Sequence, residues 1–442
     1  MLFAASGFAG ATDSDTDANM RKDVHAPDDS YARAAQRTRL LREAGRRLFA
    51  DRTLSASGKQ ACASCHDPAR RYNPPDALPV ERGGATLAEQ GLRAPPTLTY
   101  LNRIPPYSNH FHESDEEGDE SVDAGPTGGL TWDGRVDRGA EQARAPLLAP
   151  FEMANTQAGV ARAVRRSSAA RLLAEALGAH ALDTDAGAFA AVTRALGAFE
   201  EDYDEFSPYT SKYDAFLTGR ARLSAKEQRG LAAFEDERKG NCASCHRSQR
   251  GLDGSPPAFS DYGLIALGVP RNTALARNAD AGFHDLGACG PERTDKQGQS
   301  GYCGLFRTPT LRNVAMRHQF FHNGGFHSLR DVVAFYATRD TTPERWYAHD
   351  ADGHAIAYDD LPAAYHGNID RDPPFAAQHA GGPPSLDAAE IDAIVAFLGT
   401  LSDGYLASNP YRADRQAARG AANAMHEGRS RTASAGGRTR GP

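Results

Sequence analysis

Two stretches of the chain, "ACASCHDPA" at residues 61–69 and "NCASCHRSQ" at 241–249, carry the same five residues, with Cys62 and Cys242 lying 180 positions apart. Each stretch supplies two thiols and, beside the second, an imidazole: Cys62, Cys65 and His66, then Cys242, Cys245 and His246. Only 6 cysteines occur in 442 residues, so chance does not place four of them in one repeated pattern. The chemistry that needs this spacing is c-type haem attachment, in which two thiols add across the two vinyl groups of one porphyrin and the adjacent imidazole turns to the iron. Zinc would need a fourth ligand at each site, and neither stretch has a second Cys-x-x-Cys or a His-x-x-x-His nearby. A thioredoxin-like redox pair would have no use for the histidine. Two covalently bound c-type haems are therefore expected, and their attachment places the chain outside the cytosol. The remaining pair, Cys289 and Cys303, reads as a disulfide closing a glycine-rich loop in an oxidising compartment, the alternative being two idle thiols.

At this length, with 40% apolar residues, the chain can form two ordinary globular domains with tails. Its 50 basic and 57 acidic residues give a net charge of −7, and no basic stripe interleaves with aromatics, which argues against a nucleic-acid partner. No window reaches the roughly 20 uninterrupted apolar residues of a membrane-spanning helix. The start, "MLFAASGFAGATDSD", reads either as the remnant of a secretion signal or as a flexible N-terminus.

Strand patterns are scarce, so the expected fold is mostly α, with two cytochrome-c-like haem domains and long loops to wrap the porphyrins. The expected boundaries are a flexible segment at 1–30, a first haem domain at 31–210, a second at 211–402, and a disordered Gly, Ala and Arg-rich tail at 403–442. A helix is predicted from Tyr31 to Ala50, with Leu40, Leu41, Ala44 and Leu48 on one face. Ala-rich helical patterns fill 156–201, and "SPYTSKYDAFLTG" reads as a turn and short helix between domains. Ser224 and Glu227 form a capping-box pattern ahead of the second motif. A last helix places Leu386, Ile391, Ile394, Val395, Leu398 and Leu401 on one stripe and ends at Gly404. There is also an internal echo: "PPTLTYLN" then "WDGR" follow the first motif, and "TPTLRNV" then "FHNGG" follow the second, as duplication of one haem module would leave them.

The runs "LFADRTLSASGKQACASCHDPA", "WDGRVDRGAEQARAPLLAPFEMAN", "SPYTSKYDAFLTG", "FRTPTLRNVAMRHQFFHNGGFHSLRDVVAFY" and "EIDAIVAFLGTL" resemble, in that order, the bacterial di-haem cytochrome c peroxidase and MauG family. The resemblance spans roughly residues 40 to 402. It implies a periplasmic enzyme with a peroxide-reacting N-terminal haem, a second haem that stores or relays oxidising equivalents, and a tryptophan between them. His66 would then be the proximal ligand of the peroxidatic haem and His246 that of the second. Trp132 corresponds to the bridging tryptophan, although outside this family it would be read as a core aromatic. Glu152 corresponds to the distal acid: a carboxylate over the haem can take a proton from iron-bound oxygen and hand it to the departing one. Elsewhere a lone glutamate there would be a solvated helix cap. Gln142 stands where the family has a distal glutamine that holds peroxide or water.

Three departures from the family pattern matter. Many members hold a distal histidine on the first haem at rest, yet no histidine occurs between His66 and His110. The first iron is therefore expected to be open at rest, with His110 and His112 as substitutes that fall in an acidic insertion, "HFHESDEEGDESVDAG". In electron-accepting members a methionine fourteen residues after the histidine of the "FH" pair ligates the second haem; counting from His322 gives Tyr336, as in MauG-type members, with Met316 as the alternative. A phenolate is a hard donor that favours oxidised iron, whereas a thioether favours Fe(II). The family also binds calcium through an asparagine before its first "APT" motif and through backbone carbonyls. Here Ala94 takes the asparagine position, leaving the carbonyls of Arg317 and Gln319.

The leading expectation is a periplasmic peroxidase that reduces hydrogen peroxide at the His66 haem with Glu152 and Gln142. Oxidising equivalents would be shared through Trp132 with a His246/Tyr336 haem, and an unknown donor, a small redox protein or partner protein, would re-reduce the pair. A MauG-like oxidase that modifies residues of a partner protein, through surface residues such as Trp346, is the first alternative. A non-enzymatic di-haem electron carrier is the second. A homodimer is compatible with the resemblance. The seven arginines from Arg412 to Arg440 read either as a docking tail or as a solvated one.

Overall fold

The computed structural model of the chain describes residues 29–110, 125–376 and 378–412. Most of the expected flexible N-terminus, the acidic insertion with His112, and the tail beyond Arg412 lie outside them. Among the described residues, seven helices have eight residues or more: α1 Asp29–Phe49, α2 Gln157–Arg166, α3 Ala170–Leu177, α4 Asp185–Glu200, α5 Ala225–Glu235, α6 Leu329–Thr338 and α7 Ala388–Gly399. The strands are two antiparallel two-residue pairs, Arg82–Gly83 with Glu89–Gln90 and Leu264–Ile265 with Phe306–Arg307. The fold is mostly α.

Buried side chains gather into two large clusters. One unites Leu41, Ala44, Leu48 and Phe49 of α1 with Leu196 and Phe199 of α4. The other unites Phe234 of α5 with Phe335 of α6 and Ile394, Phe397 and Leu398 of α7. The two clusters are built the same way. A Cβ on Gly45 would lie 2.0 Å from the carbonyl oxygen of Ala195, and one on Gly230 would lie 2.0 Å from that of Ala393. Each pair of helices thus crosses at a glycine, because only there can the backbones touch. Four residues on from each glycine, Phe49 meets Phe199 edge-on at 5.5 Å and Phe234 meets Phe397 at 5.2 Å. The helix leading into each Cys-x-x-Cys-His therefore carries Gly-x-x-x-Phe, and its partner carries Ala-x-x-x-Phe.

Helix α5 starts as its sequence dictates: Ser224 Oγ accepts from Glu227 N–H, and the Glu227 carboxylate accepts from Ser224 N–H. The last helix differs from expectation at both ends. It starts after Asp387, whose side chain accepts from Glu390 N–H, so Leu386 is buried just outside it. It stops at Gly399, five residues short of Gly404. Thr400 turns its hydroxyl back onto the Phe397 carbonyl, and Asp403 is drawn into a buried node where it accepts from Tyr100 Oη, Thr210 N–H and Asn313 Nδ2. That node outweighs the apolar stripe that would continue the helix.

Helix propensity alone favours alanine over glycine by about 1 kcal/mol, but overpacking a helix contact costs about 1–3 kcal/mol. Since a Gly230→Ala methyl would meet backbone rather than a movable side chain, the overpacking cost falls at its upper end, and a net loss of up to about 2 kcal/mol is expected in thermal or denaturant melts. Gly399→Ala, where nothing lies within 4 Å, serves as the control and should leave stability unchanged or slightly raised. Equal melts for the two variants would contradict the crossing.

Candidate functional site

Two cavities open beside the two motifs. Cys62, Cys65 and His66 line the first, and Cys242, Cys245 and His246 line the second. A single helical turn, Cys62–Cys65, carries the first pair, with Ser64 Oγ accepting from Ala61 N–H to hold the turn. His66 Nδ1 faces the carbonyl of Tyr72 at 3.4 Å, and His246 Nδ1 faces that of Phe259 at 2.9 Å. Tyr72 and Phe259 are both left-handed, with φ of 59° and 53°. With Nδ1 engaged, Nε2 remains as the nitrogen free to bind a metal. Burial pulls the His66 imidazole down to about 4 and lowers that of His246, so both are neutral, the form that binds iron. Burial also pushes the thiols up, Cys65, Cys242 and Cys245 each to about 12.

The cavity walls fit a porphyrin in a further respect. Arg307 is buried against the second cavity, its Nε donates to the carbonyl of Thr131 at 3.0 Å, and it forms no ion pair with a carboxylate among the described residues. Burial pulls this guanidinium down to about 10. With a single neutral oxygen to bond among the described residues, this buried cation calls for an anionic partner, and the propionates of a haem are of that kind.

Trp132 lines both cavities. Its indole N–H donates to the Ala94 carbonyl at 2.7 Å, and Ala94 N–H donates to the carbonyl of His322 at 2.7 Å. The hairpin of Trp132, bridged between Leu130 and Val136, has its counterpart in that of His322, bridged between Phe320 and Phe326. Gly134 and Gly324 occupy matching left-handed positions, with φ of 66° and 61°. The echo between "WDGR" and "FHNGG" is thus a shared backbone turn that presents an indole in one unit and an imidazole in the other. Arg93 pins the first turn through ion pairs to Asp133 at 2.6 Å and to Asp285 at 2.7 Å. Cys289 and Cys303 form a disulfide. The loop it closes also holds this turn, because Arg293 donates to the Asp133 carbonyl at 2.8 Å. The same loop brings Glu292 to the first cavity.

Glu152 and Gln142 both line the first cavity. Gly83 makes room for the Glu152 segment: a Cβ there would lie 2.5 Å from the Glu152 carbonyl, which instead accepts from Gly84 N–H. Glu152 Oε2 is buried with no hydrogen-bond partner. Burial pushes this carboxyl up to about 7, with Glu292 adding to the shift and Arg135 opposing it. Among the described residues lining this cavity His66 is the one imidazole, while His110 is exposed and outside it. Besides Glu292, two further carboxyls that the sequence does not single out, Glu81 and Glu200, line the cavity. Each has one buried oxygen without a partner, and burial pushes them up to about 7 and 8. Glu200 follows Leu196 by four residues on the buried face of α4, and that placement of a charge on an apolar stripe was the available signal.

Tyr336, in α6, lines the second cavity with Cys242, Cys245 and His246, and its ring stacks on Phe375 at 5.8 Å. Burial raises its phenol far above the usual range. In such surroundings a phenolate would be stable only against a cation. Met316 lines neither cavity. Trp346 is half-buried against Phe335, which touches Tyr336. The Gln319 carbonyl, one of the two oxygens expected for calcium, already accepts from the Arg317 guanidinium at 3.2 Å.

Comparisons with known proteins agree with this geometry. A family profile described as di-haem cytochrome c peroxidase matches residues 41–222. The methylamine utilization protein MauG of Paracoccus denitrificans is 34% identical over 371 residues, covering 81% of this chain and 87% of that protein. The chain belongs to the di-haem cytochrome c peroxidase and MauG family. Membership makes it a haem oxidoreductase that acts on peroxide. The cytochrome c551 peroxidase of Pseudomonas aeruginosa is a further relative at 26% identity, covering 66% of this chain and 70% of its own. The crystal structure of the diheme peroxidase BthA from Burkholderia thailandensis matches with a TM-score of 0.72 at 38% identity, covering 83% of this chain and 86% of the other. Within the family fold, the residues present suit two haems.

Replacing Cys62 and Cys65 together by serine should reduce covalently bound haem, measured as pyridine haemochrome and iron per polypeptide, from two to one. Two covalent haems in that variant would contradict the assignment of the first cavity.

Proposed function

We propose that the chain reduces hydrogen peroxide at the His66 cavity, passes oxidising equivalents through Trp132 to a second site held by His246 and Tyr336, and works in the periplasm. Haems held through Cys62 and Cys65 and through Cys242 and Cys245 would supply the metal that binds a peroxide oxygen and the electrons that cleave the O–O bond. The chain's own part is proton handling and aim. Glu152, poised near neutrality, takes a proton from the near oxygen of hydrogen peroxide and delivers it to the far oxygen, which leaves as water. The Gln142 amide orients the bound peroxide, and two protons with two electrons from an external donor complete its reduction to two waters. Trp132 supplies a π-system against both cavities, anchored by its bond to Ala94.

The observation that carries this reading is the buried, unpartnered Glu152 oxygen in a cavity whose one imidazole among the described residues is His66. A plain electron carrier has no use for an uncompensated carboxyl beside its iron, and burying one is costly. Covalent haem attachment and the Cys289–Cys303 disulfide support an oxidising compartment, and no helix among the described residues is long and apolar enough to cross a membrane.

A MauG-like oxidation of a partner protein is the second reading. The similarity to MauG supports it, as does an aromatic series from the second cavity outward: Tyr336 lies 6.2 Å from Phe335, which lies 5.7 Å from Trp346. Sustained turnover with small electron donors favours the peroxidase; oxidation of a partner without such turnover favours the second reading.

The rate of reaction with hydrogen peroxide, followed by stopped-flow absorbance, should rise with pH through about 7 as Glu152 loses its proton and becomes a base. Glu152→Gln should lower that rate about 100-fold or more and abolish the pH step. A variant with the wild-type rate and pH profile would remove Glu152 from the mechanism. Tyr336→Met should raise the reduction potential of the second site in a potentiometric titration and leave the bimolecular rate with peroxide unchanged. An unshifted potential would exclude Tyr336 as its ligand.

A further inference from the structure

Arg317 stands where the two cavities approach one another. It lines the second cavity, and its guanidinium fans onto three neutral oxygens. Its Nε donates to the carbonyl of Gln319 at 3.2 Å, one Nη donates to Asn73 Oδ1 at 3.3 Å, and the other donates to the carbonyl of Pro95 at 2.9 Å. The three oxygens come from separate segments: the loop that follows the first Cys-x-x-Cys-His, the Ala94–Pro96 stretch, and the approach to His322. No carboxylate among the described residues bonds this guanidinium. Burial pulls it down to about 10, which still leaves it charged at neutral pH.

Neutral oxygens converging from distant segments are what a hard cation seeks. Here the converging oxygens already hold a cation, and it is part of the chain. The residues do not fit calcium in two respects. Ala94 offers no side-chain oxygen where the family has asparagine. The Gln319 carbonyl is engaged by Arg317.

We propose that the Arg317 guanidinium is the built-in cation of this node, that the protein needs no calcium, and that Arg317 is a positioning residue for the first cavity. Each of its anchors leads to a functional side chain. Asn73 follows Tyr72, whose carbonyl aims His66, and its Nδ2 donates to the carbonyl of Arg70 at 2.9 Å. Pro95 follows Ala94, whose carbonyl holds the Trp132 indole. Meanwhile Arg70 donates to the carbonyl of Met316, next to Arg317, so the first haem loop and this segment are tied in both directions. Loss of the guanidinium frees the imidazole loop and the indole anchor together, and removes a positive charge from beside the His66 site.

The calcium half of the proposal is read without substrate, and so stands or falls apart from the peroxide reading; the positioning half rests on that reading. Purified di-haem protein should contain well under one calcium per chain by elemental analysis. Its melting temperature should be unmoved by EGTA or by added calcium chloride. About one calcium per chain, with a melt that EGTA lowers, would overturn the proposal even if no Arg317 variant folds. Arg317→Met should slow the reaction with hydrogen peroxide about tenfold or more, as misaligned groups do, and should lower the midpoint potential of the peroxide-reactive haem. Arg317→Lys, which keeps the charge but cannot span three oxygens, should retain the potential and recover only part of the rate. A methionine variant with both rate and potential of the wild type would refute the positioning role.

Discussion

An imidazole can hold an iron only if one ring nitrogen is aimed and the other is satisfied, and both candidate sites of this chain meet that demand with one device. A backbone carbonyl, presented by a residue in the left-handed conformation, engages Nδ1: Tyr72 for His66 and Phe259 for His246. Bulky residues are disfavoured in that conformation, so the surrounding packing must hold them there. Tyr72 is wedged among Phe49, Phe199 and Phe206, and Phe259 among Tyr213, Phe234 and Phe397. Those aromatic clusters close over the glycine crossings of α1 with α4 and of α5 with α7. Helix packing, loop strain and ligand aim are therefore one mechanical unit, made twice.

What separates the two units is which side chains share each cavity with its imidazole. The first has carboxyls with unpartnered oxygens, Glu152 among them, raised toward neutrality by burial. The second has the phenol of Tyr336 and the buried guanidinium of Arg307. A cavity with a poised carboxyl suits proton transfer to a small substrate, and a cavity closed by a phenol suits a site that holds charge. Trp132 and His322 occupy one position of a backbone turn that the two units share, with Gly134 and Gly324 as its common residue. Between them the Ala94–Pro95 peptide is held from three directions, by Trp132, by Arg317 and by the His322 carbonyl.

The haem motifs were plain in the sequence because covalent chemistry fixes residue type and spacing together. The duplication showed as two Cys-Ala-Ser-Cys-His runs and the "PTL" echoes, yet its mechanical basis, glycine and phenylalanine four apart ahead of each motif, went unnoticed. A Gly-x-x-x-Phe pattern gains meaning only when the facing Ala-x-x-x-Phe, 150 positions away in one unit and 163 in the other, is seen to cross it. Tyr336 could be reached by counting from His322, since both belong to one continuous stretch. Glu81 and Glu200 were not found because a carboxyl in a loop or on an Ala-rich helix carries no local mark of facing a cavity. The end of the last helix is hidden from the sequence for a similar reason: Asp403 is captured by Tyr100, Thr210 and Asn313, residues that nothing in the local pattern announces. Arg317 reads in the sequence as a backbone carbonyl for calcium, whereas in the fold its side chain donates to the oxygens of Asn73, Pro95 and Gln319, which no local pattern announces.

The central claim is that the two sites are unequal: a haem held by His66 would be left open to peroxide beside Glu152, whereas one held by His246 would also take Tyr336 as a ligand. The electron paramagnetic resonance spectrum of the resting ferric protein tests it most directly. One high-spin and one low-spin haem per chain, in equal amounts, is the expected result. Two low-spin haems, which would mean a side chain already bound at the first site, would contradict it.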